Sequence, residues 1–151
     1  MTTKINKISS KLYEQDYNLW LEKIIQLLND NRWGEIDLSN LIAELEGMSR
    51  SEKRAIYSNL KIVLMHLLKY KYQPERRSRS WLYTIREHRQ RLSRAFKESP
   101  SLRNYFQDIF AESYQDAREL AADETGLALL TFPDEIPFST EEVLNTEYLP
   151  D

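Results

Sequence analysis

Apolar residues recur at three- and four-residue intervals along most of the chain, which is the period of a helix buried on one side. Tyr13, Tyr17, Trp20, Ile24, Leu27 and Leu28 share one face of a first helix over about residues 11–29, with Glu14, Glu22 and Lys23 off it. The turn-rich stretch NDNRWGEID ends it. A short second helix follows, capped by Asp37 or Ser39, striped by Leu38, Leu41, Ile42 and Leu45, and closed by Gly47. Ser49-Arg50-Ser51-Glu52 has the form of a capping box and predicts the start of a third helix. From Ile56 to Tyr70 apolar side chains occur almost all the way round, the pattern of a helix enclosed by others, and Pro74 stops it.

A fourth helix over about residues 79–97 turns Trp81, Ile85, His88, Leu92 and Phe96 inward and Arg79, Arg86, Arg94 and Lys97 outward. Ser99-Pro100 reads as an N-cap with proline at the first position of a fifth helix. That helix buries Leu102, Phe106, Ile109, Ala117 and Leu120 and stops at Thr125-Gly126. The tail is a proline-rich arm with one short helix, opened by a second capping box at Ser139-Thr140-Glu141-Glu142. Phe132, Ile136, Phe138, Val143, Leu144 and Tyr148 make it too apolar for a free linker. The expected fold is all-α, an up-and-down bundle of four main helices plus a short helix and an extended C-terminal arm. A single domain is expected over residues 1–151, with a core at about 10–125 and the arm 126–151 packed on it.

Composition agrees: 151 residues, 41% hydrophobic and 30% charged, supply one core, and 3 glycines and 5 prolines leave long stretches uninterrupted. The absence of cysteine excludes a disulfide framework and a thiolate zinc site. The stretch MTTKINKISSKLYEQD lacks the apolar core of a signal peptide, and runs such as IVLM are too short to span a bilayer, so a cytoplasmic location without membrane contact is expected.

Charge sharpens this picture. The net charge is -3, yet residues 1–68 sum to zero, residues 69–97 to +8 and residues 98–151 to -11. The basic block is densest in YQPERRSRSW at 72–81. There Arg76, Arg77 and Arg79, preceded by Lys69 and Lys71, alternate with Tyr70, Tyr72, Trp81 and Tyr83, the side chains that contact phosphates and stack on bases. The two lysines suit the negative end of the third helix, whereas the arginines crowd the positive end of the fourth, where a cation costs roughly 0.3–1 kcal/mol. An anion must answer them, supplied by the acidic C-terminal third (Glu112, Asp116, Glu119, Asp123 or the arm), by a protein partner or by nucleic acid.

Other chemistry is sparse. The candidates for a metal or acid–base site are His66, His88 and the carboxylates Asp37, Glu44 and Glu46; the two histidines lie 22 residues apart on different predicted helices and form no zinc motif, though they could meet across a helix pair. The ordinary role of a lone histidine on an apolar helix is a hydrogen-bonded boundary residue. Glu44 and Glu46, two apart, point to different sides. There is no nucleophile elbow and no glycine-rich phosphate cradle, and neither metal nor cofactor is expected.

Several stretches together resemble the bacterial family catalogued as domain of unknown function twenty-nine, known best from cyanobacteria. They are YEQDYNLWLEK at 13–23, DLSNLIAELEGMSRSEKR at 37–54, LLKYKYQPERRSRSW at 67–81, SPSLR at 99–103, and DARELAADETGL with FPDEIPFSTEEVL near the end. The resemblance spans almost the whole chain and implies a compact helical bundle, with no activity and no catalytic residues to carry over. The function expected is a non-enzymatic protein-interaction module using Arg76, Arg77, Arg79, Trp81 and Arg86. The alternative is a nucleic-acid-associated or regulatory protein using the basic region from Arg76 to Lys97, and third stands an enzyme built around His66, His88 and Glu44.

Overall fold

Capping chemistry divides the first apolar stretch where periodicity alone runs straight through. In the computed structural model, which describes residues 10–151, residues 10–15 are helical and a separate helix, α1, spans Tyr17–Asn29. Asp16 between them is extended (φ -150°, ψ 91°), and its carboxylate accepts a hydrogen bond from the Leu19 N–H at 3.0 Å. An aspartate that satisfies an orphan donor favours a new helix start over one continuous helix from 11 to 29. The stretch argued above against a signal peptide begins in residues 1–9, outside the described residues.

The order continues with a 3-10 turn at Trp33–Glu35, α2 over Leu38–Tyr72, a 3-10 turn at Pro74–Arg76, α3 over Arg79–Glu98, α4 over Leu102–Thr125, a 3-10 turn at Leu129–Thr131, and α5 over Thr140–Leu144. No strand occurs among the described residues, and the chain is all-α as expected, with four long helices, a short one and an arm.

Two further boundaries differ from the sequence reading. The second and third predicted helices are one helix: Gly47 does not close the first and Ser49 does not cap the second, because both lie inside the 35-residue α2. A glycine inside a helix costs only about 1 kcal/mol relative to alanine, too little to stop a helix whose other residues propagate it. The start of α4 also shifts: Ser99-Pro100-Ser101 forms a turn, with Leu102 N–H bonded to the Ser99 carbonyl at 2.9 Å, and the helix begins at Leu102. Its end is as expected, with Gly126 left-handed at φ 73°.

The chain divides into two compact units at residue 50, inside α2. In the N-terminal unit Trp20, Ile24 and Leu27 of α1 are buried with Ile36, and Leu41 packs against them. Leu38, Ile42 and Leu45, expected to be a buried stripe, are 46–60% exposed, because α1 covers only the Leu41 side of this amphipathic face.

The C-terminal unit is built round the second half of α2, where Ile56, Leu60, Val63, Leu64, Leu67 and Leu68 are all buried. Cross-contacts set helix directions: α2 Asn59 meets α3 His88 while Lys69 meets Trp81, so these two run antiparallel. Phe96 packs on Phe106 across the next short corner, which turns α4 back again. Phe132, Phe138 and Val143 of the arm complete the same core, with Ser139 and Glu142 forming the predicted capping box of α5. On α4, Leu120 is 39% exposed rather than buried, and Arg118 and Ala121 take the inward positions.

Replacing Gly47 with alanine tests the continuity of α2. The added Cβ meets only the Arg50 side chain, at 3.8 Å. The Gly47→Ala protein should therefore gain up to about 1 kcal/mol in stability, read as a higher melting temperature. A lower one would mean that the helix breaks here.

Candidate functional site

The corner between α2 and α3 is assembled by its own basic residues. Ser78, extended in backbone, accepts a hydrogen bond from the Trp81 N–H at 3.3 Å and so starts α3. Arg77 closes α2: its Nε donates to the Tyr70 carbonyl at 2.8 Å, its guanidinium lies over the Tyr70 ring at 4.1 Å, and Nη2 reaches the Pro150 carbonyl at 3.5 Å. Lys69 is buried, pairs with Glu124 at 2.7 Å and sits over the half-buried Trp81 ring at 4.6 Å. Arg77 and Trp81 are thus occupied within the protein.

Arg76 and Arg79 are different. Both are exposed and neither forms an ion pair among the described residues. The self-neutralised reading of the arginine cluster is corrected here for Arg76 and Arg79: no acidic residue pairs with either among the described residues, and Asp116 and Glu124 of α4 are engaged elsewhere. Asp116 accepts the Tyr57 hydroxyl, whose pKa is pushed up to about 12, first by that bond, and Glu124 takes Lys69. Further along α3, Arg86, Arg94 and Lys97 are exposed and likewise free of ion pairs among the described residues, with Tyr83 67% exposed beside them. Of the residues singled out in the sequence, Arg76, Arg79 and Arg86 belong to an open cationic surface.

The residue that sequence reasoning missed is Arg89. It lies on the inward stripe with Ile85, Leu92 and Phe96 and is only 3% exposed. Its Nε donates to the Val143 carbonyl at 2.8 Å, Nη1 to Tyr148 at 2.9 Å and Nη2 to Glu142 at 3.1 Å. Two of these acceptors are last-turn carbonyls of α5, which a helix of that length cannot fully satisfy. Burial lowers the guanidinium pKa to about 10, still far enough above neutrality to keep it charged. Its spacing from Ile85 and Leu92 was the available signal. On α4, Arg118 does similar work, donating to the Phe132 carbonyl at 2.8 Å and pairing with Asp134 at 2.8 Å.

The acid–base candidates have local partners. His66 Nδ1 donates to the Ile62 carbonyl at 2.9 Å and His88 Nδ1 to Asn59 Oδ1 at 2.7 Å, which leaves each Nε2 as an acceptor in the neutral ring. Burial lowers both pKa values, aided at His88 by Arg91. In the N-terminal unit Glu44 accepts from the Tyr13 and Tyr17 hydroxyls, the latter at 2.6 Å, and these bonds hold its pKa below the usual range. Asp37 is buried and accepts from the Trp20 indole at 3.1 Å and the Asn40 amide at 2.7 Å, and Glu46 is exposed. Among the described residues no group of three or more His, Asp or Glu is placed to hold a metal ion, and no helix is long and apolar enough to cross a membrane.

A family model described as Domain of unknown function DUF29 matches residues 12–149. No curated protein and no solved structure matches the chain.

Replacing Arg89 with leucine leaves the Val143 and Tyr148 carbonyls without a donor and the Glu142 carbonyl with only the Asn145 N–H, and should cost about 3 kcal/mol or more, with backbone amides of α5 losing exchange protection first. Unchanged protection at 140–148 would show that the apolar contacts alone hold the arm. For the histidines the sign is fixed by their depressed pKa. The unfolded chain takes up protons first, so stability is full above the ordinary imidazole value of about 6.5 and falls as pH drops through it toward the folded value. Chemical denaturation between about pH 7 and 5 should show this loss, and His66→Gln with His88→Gln should flatten it.

Proposed function

We propose that this chain, which belongs to the family Domain of unknown function DUF29, is a non-enzymatic interaction module that docks an acidic segment of a protein partner. The docking surface is the α2–α3 corner and the outward face of α3, with Arg76, Arg79 and Arg86 as the contacting cations. The observation that carries the reading is that these arginines are exposed without ion pairs among the described residues, although 13 carboxylate side chains follow in residues 98–151. Arg79 is the first residue of α3, where the helix field opposes a cation by roughly 0.3–1 kcal/mol, and a cation at that position without an internal ion pair supports an external anion.

Exposed Tyr83 and Leu82 lie in the same segment, and arginine with aromatic and aliphatic side chains is the composition of a protein interface. A nucleic acid would meet the same cations, but the strongly acidic residues 98–151 oppose the approach of a long polyanion, and a short acidic peptide segment avoids most of that repulsion.

An Asp/Glu-rich peptide should bind at low salt and weaken as salt rises, and Arg79→Glu with Arg86→Glu should weaken it about tenfold or more while the melting temperature holds. Peptide binding that survives both reversals, or binding only to an oligonucleotide, defeats the reading.

A further inference from the structure

Three adjoining cavities follow α3 where the C-terminal arm runs beside it. One of about 210 Å³ lies between Leu82, Arg86, Arg89 and Leu149; one of about 430 Å³ is lined by Arg94 and Lys97; one of about 160 Å³ lies between Phe96, Arg103 and Leu144. Thr146 is common to the first two, Arg89 to the first and third, and Ser93 to the second and third, so the three meet around these side chains. The walls hold five cationic side chains, Arg86, Arg89, Arg94, Lys97 and Arg103, against one carboxylate, Glu147. None of the five is in an ion pair among the described residues.

We propose that this furrow receives the phosphoryl group of a phosphorylated protein segment, a specificity that rests on the interaction-module reading above. Its floor is built: Arg89 is fixed by three arm carbonyls, which orient the guanidinium without cancelling its charge and leave N–H groups on Nη1 and Nη2 to spare. Arg103 is held over the Phe96 ring at 5.0 Å, with its charge also uncompensated. Ser93, Gln90 and Thr146 add neutral hydrogen-bonding groups on the same walls.

Charge balance selects phosphate over carboxylate. A side-chain carboxylate brings one charge and two acceptor oxygens, whereas a phosphorylated serine brings about -1.5 to -2 and three oxygens, which better matches walls that carry five cations against one carboxylate. Mixed walls favour a peptide over a bare ion: Leu82 and Leu149 are each more than a third exposed at one end of the furrow and can hold a neighbouring apolar residue.

The test uses three fluorescent Asp/Glu-rich peptides that differ only at a central phosphoserine, serine or glutamate, titrated with the whole chain. At about pH 7.5 the phosphoserine peptide should bind about tenfold tighter than the glutamate one, and the advantage should narrow at about pH 5, below the second phosphate pKa near 6. Arg94→Gln with Lys97→Gln, both exposed, should erase that advantage without lowering the melting temperature. Equal affinity for the phosphoserine and glutamate peptides overturns the phosphate site and leaves acidic docking standing. Binding to none of the peptides overturns both, as does a single-stranded oligonucleotide that displaces the phosphoserine peptide at equal concentration.

Discussion

A buried guanidinium joined to main-chain carbonyls organises the C-terminal unit. Taking a charge out of water costs several kcal/mol unless polar partners replace the solvent, and Arg89 finds those partners only when the arm is folded against α3. The dependence is mutual. The last turn of α5 has carbonyls that a five-residue helix cannot fully satisfy; Arg89 satisfies that of Val143 and shares that of Glu142 with the Asn145 N–H. Phe132, Phe138 and Val143 provide the apolar burial of the arm, and Arg89 binds the carbonyls of Glu142, Val143 and Tyr148 in it. Arg118 repeats the arrangement at the start of the arm, aided by the Tyr114 hydroxyl on the Pro133 carbonyl.

Because these partners are mostly carbonyls, the arginines are oriented but little neutralised. Arg77 also spends its hydrogen bonds on carbonyls, at Tyr70 and Pro150. The acidic third therefore cancels less of the basic block than the opposed totals of +8 and -11 suggest. Of its residues on α4, Asp116 and Glu124 face α2, meeting Tyr57 and Lys69, and none forms an ion pair with the outer face of α3 among the described residues. A structural device and a cationic surface come from the same choice of acceptor.

The N-terminal unit handles polarity in another way. Glu44 is held by two tyrosine hydroxyls and Asp37 by the Trp20 indole and Asn40, so these two carboxylates are satisfied by neutral donors. Continuity of α2 through Gly47 keeps Leu38, Ile42, Leu45 and Met48 on a regular helical surface, 46–64% exposed. A helix break there was the natural reading of Gly47 and Ser49, since both are terminus formers. Neither residue carries enough free energy to overrule the helix on either side.

The sequence by itself determined the elements whose causes are local: the α3 stripe, the Pro74 stop, the Gly126 end of α4, the α5 capping box, and the apolar arm that had to find a surface. It also pointed to Arg79, Arg86, Arg94 and Lys97 as outward cations, because their period and charge agree. For Arg89 and Arg118 the two signals conflict. Period places them among Ile85, Leu92, Tyr114 and Ala121, while charge argues for water. The deciding carbonyl of Val143 lies 54 residues beyond Arg89, and no local rule supplies it. Only the tertiary structure, by bringing unsatisfied main-chain acceptors to that point, made a buried cation less costly than an exposed one.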